Sequence, residues 1–345
     1  TFILIGNTIL GIDGMLWDYW LILFTTACFA NMLGLNISST FNSAVTIYII
    51  IPFLIIPQIL FSGVLVKFEK LNPVITSQSI VPIIGEVMAS RWSFEALAVN
   101  QFIKNDYEKL FYSYDQQMSD ANFKKNFWVP ELKAKVGKFK EYLRNNDRYP
   151  PEEIENDLRT IRNEVGHENN ILATIDSVLV FDDVEDFTLE GLNEDLLDYF
   201  STYLTAVNRY YVKQWNYNSD EKDRIIREHQ QTEEDKTAFN ELRNNFENES
   251  LSDLVTNKNE FNQITEYDGA LIQRADPVFH ISDGLRAHFY APKKMIFGKY
   301  YPTMQVNVLI LWAMSILLMV TLYFDALKGL LNIFSNISLF KKKES

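Results

Sequence analysis

Cysteine is nearly absent: Cys28 is the only one in 345 residues. No disulfide can close within the chain, so any soluble part must be held by its core alone. Histidine is almost as scarce, and His280 and His288, with Asp276 and Asp283, follow no strong metal-ligand spacing. No segment reads GxxxxGK[ST], so this stretch of sequence has no phosphate-cradling loop with which to hydrolyse ATP. Positive charge is in deficit, with 32 Lys and Arg against 45 Asp and Glu, which argues against nucleic acid as a partner. The many carboxylates accompany no candidate nucleophile or oxyanion element, so nothing points to an enzyme. The opening TFILIGNTIL has no initiator Met, no basic n-region and no small-residue cleavage site. It is not a signal peptide, and reads as the tail of a hydrophobic segment that begins upstream. Repeats and low-complexity segments are also missing.

What the sequence does have is a long apolar stretch over residues 41–102. Residues 44–66 carry no charge, and as a helix they would be about 34 Å long against a hydrocarbon core of about 30 Å. Pro52 and Pro57 would break a soluble helix. In a membrane bundle, neighbouring helices and side chains such as Gln58 can satisfy the freed backbone groups. The second half is cut by Pro73, Pro82 and Gly85 and carries Glu86, Arg91 and Glu95. That pattern predicts short helices dipping into the outer face of the membrane, a re-entrant element and not a second full span.

Earlier residues follow the same logic. Residues 2–12 make half a span, a turn passes through Gly11, Asp13 and Gly14, and Trp17, Tyr19 and Trp20 form an interfacial aromatic group. Residues 19–35 are the next span, with Asn31 and Asn36 expected to face other helices. Residues 304–324 are the last span, closed by Asp325 as an interfacial cap and followed by an amphipathic tail. Lys341, Lys342 and Lys343 are the densest basic run beside any span, which places the C-terminus in the cytoplasm. Counting back, the SSTFNS link is cytoplasmic and the region between the re-entrant element and the last span is extracytoplasmic.

Charge divides the chain into three parts. Residues 1–103 and 301–345 balance to zero together, so the net charge of −13 sits in residues 104–300. The mean hydropathy of −0.09 is therefore an average of a membrane part and a soluble acidic part. The acidic part is expected to be mainly helical. Leu196, Tyr199, Phe200, Tyr203, Leu204 and Val207 recur at three- and four-residue spacing and predict one buried face. Pro150 and Pro151 mark a helix start. A short strand within ILATIDSVLVFDDV is one option, and FYAPKKMIFGKYYP suits a return to the membrane interface.

The series NMLGLNISSTFNSAVTIYIIIPFLIIPQILFSGVLVKF, followed by SRWSFEALAVNQF, resembles the transmembrane domain of ABC exporters of the type-2 permease class, White/ABCG-like subfamily. Arg91, Trp92, Phe94, Glu95, Ala96, Leu97, Asn100, Gln101 and Phe102 fit the motif of the family's re-entrant hairpin. The resemblance covers residues 1–103 and the final span. It implies a C-terminal fragment, a dimer of such halves, and a coupled ATP-binding cassette upstream in the same polypeptide, while the lone cysteine fits a bacterial protein better than a eukaryotic ectodomain. ATP and Mg2+ belong to that cassette, and this chain has no cofactor of its own. It further implies a substrate path lined by residues 44–66, with Pro57, Gln58 and Gly63 along it and Val64 and Leu65 as the outer plug. Apolar side chains meeting their dimer mates there would close a pore by dewetting.

Three features depart from the family: the long acidic insert, the missing loop cysteines, and the absence of early spans and cassette. Arg91 and Glu95 are four apart and share a helix face. As a structural pair, they should tolerate exchange of their charges better than loss of either one. The sequence thus predicts a polytopic transmembrane helical bundle with a re-entrant outer hairpin and a large helical extracytoplasmic insert, in the inner membrane. The rival readings are a force-transmitting ABC permease with a periplasmic domain and a membrane-anchored sensor or scaffold. The proline-bent span and re-entrant element would serve no purpose in a mere anchor. N-x-S triplets at Asn36, Asn248 and Asn336 read as chance.

Overall fold

A computed structural model describes residues 2–10, 14–72, 76–175, 177–282 and 284–330. The chain is mainly helical and divides into two compact units, residues 1–105 with 281–345, and residues 106–280. The turn at Gly11 and Asp13, Pro73, Asp283, Asn336 and the basic tail all lie outside the described residues.

The first unit opens with α1 (Phe2–Leu10), α2 (Leu16–Thr40) and α3 (Ala44–Leu60). At 1.5 Å per residue α2 is about 37 Å long, and it is apolar enough to cross a bilayer. α3 is shorter than the charge-free run predicts. It stops at Leu60, where the Ser62 hydroxyl donates to the Ile59 carbonyl at 2.8 Å and Gly63 takes a positive φ of 84°. Residues 61–66 are turns, so the helix is about 26 Å long. None of its side chains is buried. Two short elements follow, α4 (Ile83–Glu86) and then α5 (Ala89–Lys104), which carries the RWSFEAL motif and is buried along most of its length.

The second unit has its own apolar core. α6 (Tyr112–Phe123) runs through a π-helical turn, Lys124–Trp128, into α7 (Val129–Arg144). Next come α8 (Pro151–Leu172), α9 (Glu194–Glu228), α10 (Glu233–Phe246) and α11 (Glu249–Val255). Asn193 caps α9 by accepting from the Leu196 amide at 2.9 Å. Leu196, Phe200, Tyr203, Leu204 and Val207 are buried as their spacing predicts, but Tyr199 is 49% exposed at the margin of that stripe. The segment ILATIDSVLVFDDV holds 3-10 turns at Ser177–Leu179 and Val184–Asp186 and no strand among its described residues. The strands of this unit are β1 (Ile264–Tyr267) and β2 (Ala270–Gln273), an antiparallel pair joined by Asp268 and Gly269, both with positive φ. That is the type I′ hairpin pattern.

The chain returns through β3 (Lys293–Ile296) and β4 (Lys299–Pro302), a second antiparallel hairpin, into α12 (Thr303–Tyr323). Residues 281–300 were counted with the insert on charge alone; they pack in the apolar unit because the hairpin buries Lys294 there. α12 is the second helix long and apolar enough to cross a membrane. Ile22 of α2, Ala96 of α5 and Met304 and Val308 of α12 form one buried cluster, and Phe29, Ala89, Trp92 and Leu311 form another. Asn36 clasps α2 to α12: its amide donates to the Leu318 carbonyl at 2.8 Å, and Thr321 donates to its Oδ1 at 3.0 Å. Asn31, expected to do the same, is exposed. Asp325 takes a positive φ just past the helix end, the left-handed capping position.

Candidate functional site

Gly63 follows directly on the FS of the FSG turn, and its surroundings are crowded. A Cβ there would lie 2.7 Å from the Phe68 ring and 2.8 Å from the Phe289 ring, and φ is +84°. Both space and backbone conformation therefore demand glycine. Phe68 also fills the place a side chain would take at Gly85, and meets Phe289 edge-on with centroids 5.3 Å apart. The exit turn of α3 is thus seated on an aromatic pair contributed by the stretch before α4 and by the chain returning toward α12.

Behind that pair lies a buried charge cluster. Arg91, Glu95, Lys294 and Asn307 are all fully buried. Glu95 is surrounded by donors: Lys294 Nζ at 2.6 Å, Asn307 Nδ2 at 2.7 Å and the Tyr290 amide at 3.2 Å. Lys294 also donates to Asn307 Oδ1 at 3.0 Å, and Asn307 Nδ2 reaches the Trp92 carbonyl at 3.0 Å. The Arg91 guanidinium lies 3.5 Å from Glu95 and 3.7 Å from Glu86 and stacks 3.9 Å above the Trp92 ring. Its Nε and both terminal nitrogens make no hydrogen bond among the described residues. Among the described residues it is held by charge and ring stacking. Two carboxylates face two cations, so the cluster is close to neutral, the condition under which buried charge is tolerated. It joins α5, β3 and α12 into one piece.

The predicted site residues are not gathered in one place. Arg91, Trp92 and Glu95 belong to the cluster, and Phe94 lies edge-on to Tyr290 at 6.4 Å. Gln58 is tied to α5, since its side-chain oxygen accepts from the Ser90 amide at 3.1 Å and its carbonyl accepts from the Ser90 hydroxyl. Pro57 lends its carbonyl to the Phe61 amide at 2.9 Å, closing the last turn of α3. Val64 and Leu65 lie beyond the helix in the turn, 37% and 65% exposed. Gln101, from the same motif, accepts from the Tyr19 hydroxyl at 2.5 Å and pins α5 to α2. Sequence reasoning did not find Lys294, Asn307, Phe68 or Phe289. The only signal for Lys294 was a lysine doublet within an aromatic stretch, and it gives no hint of a partner 199 residues away.

Residues 1–102 match the family described as ABC-2 type transporter. That domain is the permease component of ABC transporters, a membrane part that works with ATP-binding cassette proteins. No curated protein and no solved structure matches the chain.

Proposed function

We propose that this chain is the permease part of an ATP-driven exporter of the White/ABCG-like subfamily. It acts as a dimer whose cassettes lie upstream in the same polypeptide, with ATP and Mg2+ bound at the cassettes. The observation that carries this reading is the ABC-2 type transporter match over the segment that contains α3, its glycine exit turn and α5. α3 buries none of its side chains in the single chain, which leaves its apolar surface to lipid and to a dimer mate. Val64 and Leu65 form the outer constriction. Closure of the cassettes rocks the spans, and because the exit turn sits on Phe68 and Phe289 it moves together with the piece tied by Glu95, Lys294 and Asn307. The insert is extracytoplasmic, and the protein is a multi-pass component of a bacterial inner membrane.

The test is Leu65→Ala in the complete transporter, reconstituted into proteoliposomes. Loosening the constriction should raise basal ATP hydrolysis. Hydrolysis and transport both unchanged from the parent protein would remove the gate from this reading.

A further inference from the structure

The β3–β4 hairpin turns through Phe297 and Gly298, whose φ angles are +49° and +75°. Two positive φ values define the type I′ turn, where Asn, Asp or Gly is favoured at the first position. A phenylalanine in that conformation is an outlier. It is also completely exposed, at 101%. Folding of the hairpin does not explain it: the ring touches no core and the backbone would favour a smaller polar residue. Around it are the half-buried Met295 and Ile296, the exposed Tyr300, and two exposed lysines, Lys299 next to the tip and Lys293 at the open end of the ribbon.

The base of this ribbon is fastened to the first turn of α12. The Thr303 amide donates to the Pro292 carbonyl at 3.1 Å, its hydroxyl to the Ala291 carbonyl at 2.5 Å, and Lys294 holds Asn307 at 3.0 Å. The open end of the ribbon therefore sits where α12 begins, and the Phe297 tip projects from that fastened base. Farther along, α12 turns Leu309, Ile316 and Leu317 outward, each more than half exposed. An aromatic tip between lysines, fixed at the end of an apolar helix, has the composition of an interfacial anchor, with the ring among the upper acyl chains and cations at the phosphates.

We propose that Phe297 is a lipid-inserted wedge. The β3–β4 tip enters the outer leaflet beside α12, with Lys299 and Lys293 on lipid phosphates. The proposal rests on the reading of α12 as a membrane span. It adds a lipid contact to that reading, made by a strained residue that the fold itself does not need.

The experiment uses site-directed spin labels in the whole protein with every native cysteine, Cys28 included, replaced by Ser, reconstituted into phosphatidylcholine–phosphatidylglycerol vesicles. Labels are placed singly at Phe297→Cys, at Ile316→Cys as the span control and at Glu233→Cys as the aqueous control. Accessibility to oxygen, which concentrates in the acyl region, is compared with accessibility to a water-soluble nickel chelate. The expected result is a high oxygen-to-nickel ratio at both 297 and 316 and a low one at 233. A lipid-like 316 with a nickel-accessible 297 overturns the wedge and leaves the span intact. A lipid-like 316 with 297 shielded from both reagents also overturns it, because the tip is then covered by protein such as a second copy. A nickel-accessible 316 overturns the span reading and the wedge with it. Separately, Phe297→Asn should leave thermal stability in detergent unchanged or raised, since Asn suits the turn; a lowered Tm there would make Phe297 a folding residue and refute the wedge.

Discussion

Lys294 and Glu95 meet at 2.6 Å with both side chains fully buried, although 199 residues separate them in sequence. The acidic insert is bracketed between these two positions, so the contact closes the chain on itself where it leaves and re-enters the apolar unit. Breaking a buried ion pair from one side leaves an uncompensated charge and costs about 3–5 kcal/mol. Lys294→Met should therefore destabilise strongly. The double variant Lys294→Met with Glu95→Leu should recover much of that loss, read as Tm in detergent by the recovery of ligand-free folded protein after heating.

The environment of Glu95 also changes what is expected of its pairing with Arg91. Glu95 accepts from Lys294, Asn307 and the Tyr290 amide. An arginine there would set donors against donors and a cation against Lys294. Exchanging the charges, Arg91→Glu with Glu95→Arg, should therefore be at least as damaging as Arg91→Ala alone. This reverses the expectation drawn from the four-residue spacing. Expression and thermal stability of the three variants, measured side by side, check it.

Gly63→Ala tests the seating of the exit turn. A left-handed backbone costs a residue with a Cβ about 1–2 kcal/mol, and here the added carbon also strikes Phe68 and Phe289. Gly63→Ala should lower Tm clearly, whereas Val64→Ala, in the same turn, should change it little. Shaving the obstacle with Phe289→Leu in the Gly63→Ala background should restore part of the loss.

In the second unit, Glu108 gives a pH signature. Burial first, and then the carboxylate of Asp115, push it up to about 7; Glu247 adds to the rise, while Lys222 and Arg243 oppose it. The folded state thus holds a proton that the unfolded chain releases at its ordinary value of 4.5. The resulting stability is fully present below pH 4.5 and is lost as pH rises through about 7. Glu108→Gln should match the parent protein at pH 4 and exceed its thermal stability at pH 8. A difference in Tm that does not change with pH would contradict this.

Much of the helical architecture was legible because it is written in local periodicity. The stripe on α9 is an example, and Tyr199 failed only because a residue on the rim of a stripe shares its spacing. The end of α3 was misplaced because an absence of charge marks what can lie in lipid, not where a helix stops; Ser62 and Gly63 carry the stop signal. The Asp268–Gly269 hairpin was not anticipated, although an Asp-Gly pair is a type I′ turn signal, because the surrounding residues were read as helical. Neither was the Phe297 hairpin, since its first turn residue is one that type I′ turns avoid. The charge cluster was half visible: Arg91 and Glu95 through their spacing, Lys294 and Asn307 not at all, because nothing local marks a partner that tertiary folding supplies.

The account stands on a permease orientation in which the acidic insert faces outward and the link between α2 and α3 faces the cytoplasm. Single cysteines in a protein whose native cysteines, Cys28 included, are replaced by Ser, Glu233→Cys in the insert and Asn42→Cys in the link, can be probed in intact cells with a membrane-impermeant maleimide. The account predicts labelling at 233 without permeabilisation and at 42 only after it. Labelling at 42 in intact cells with 233 protected would contradict it.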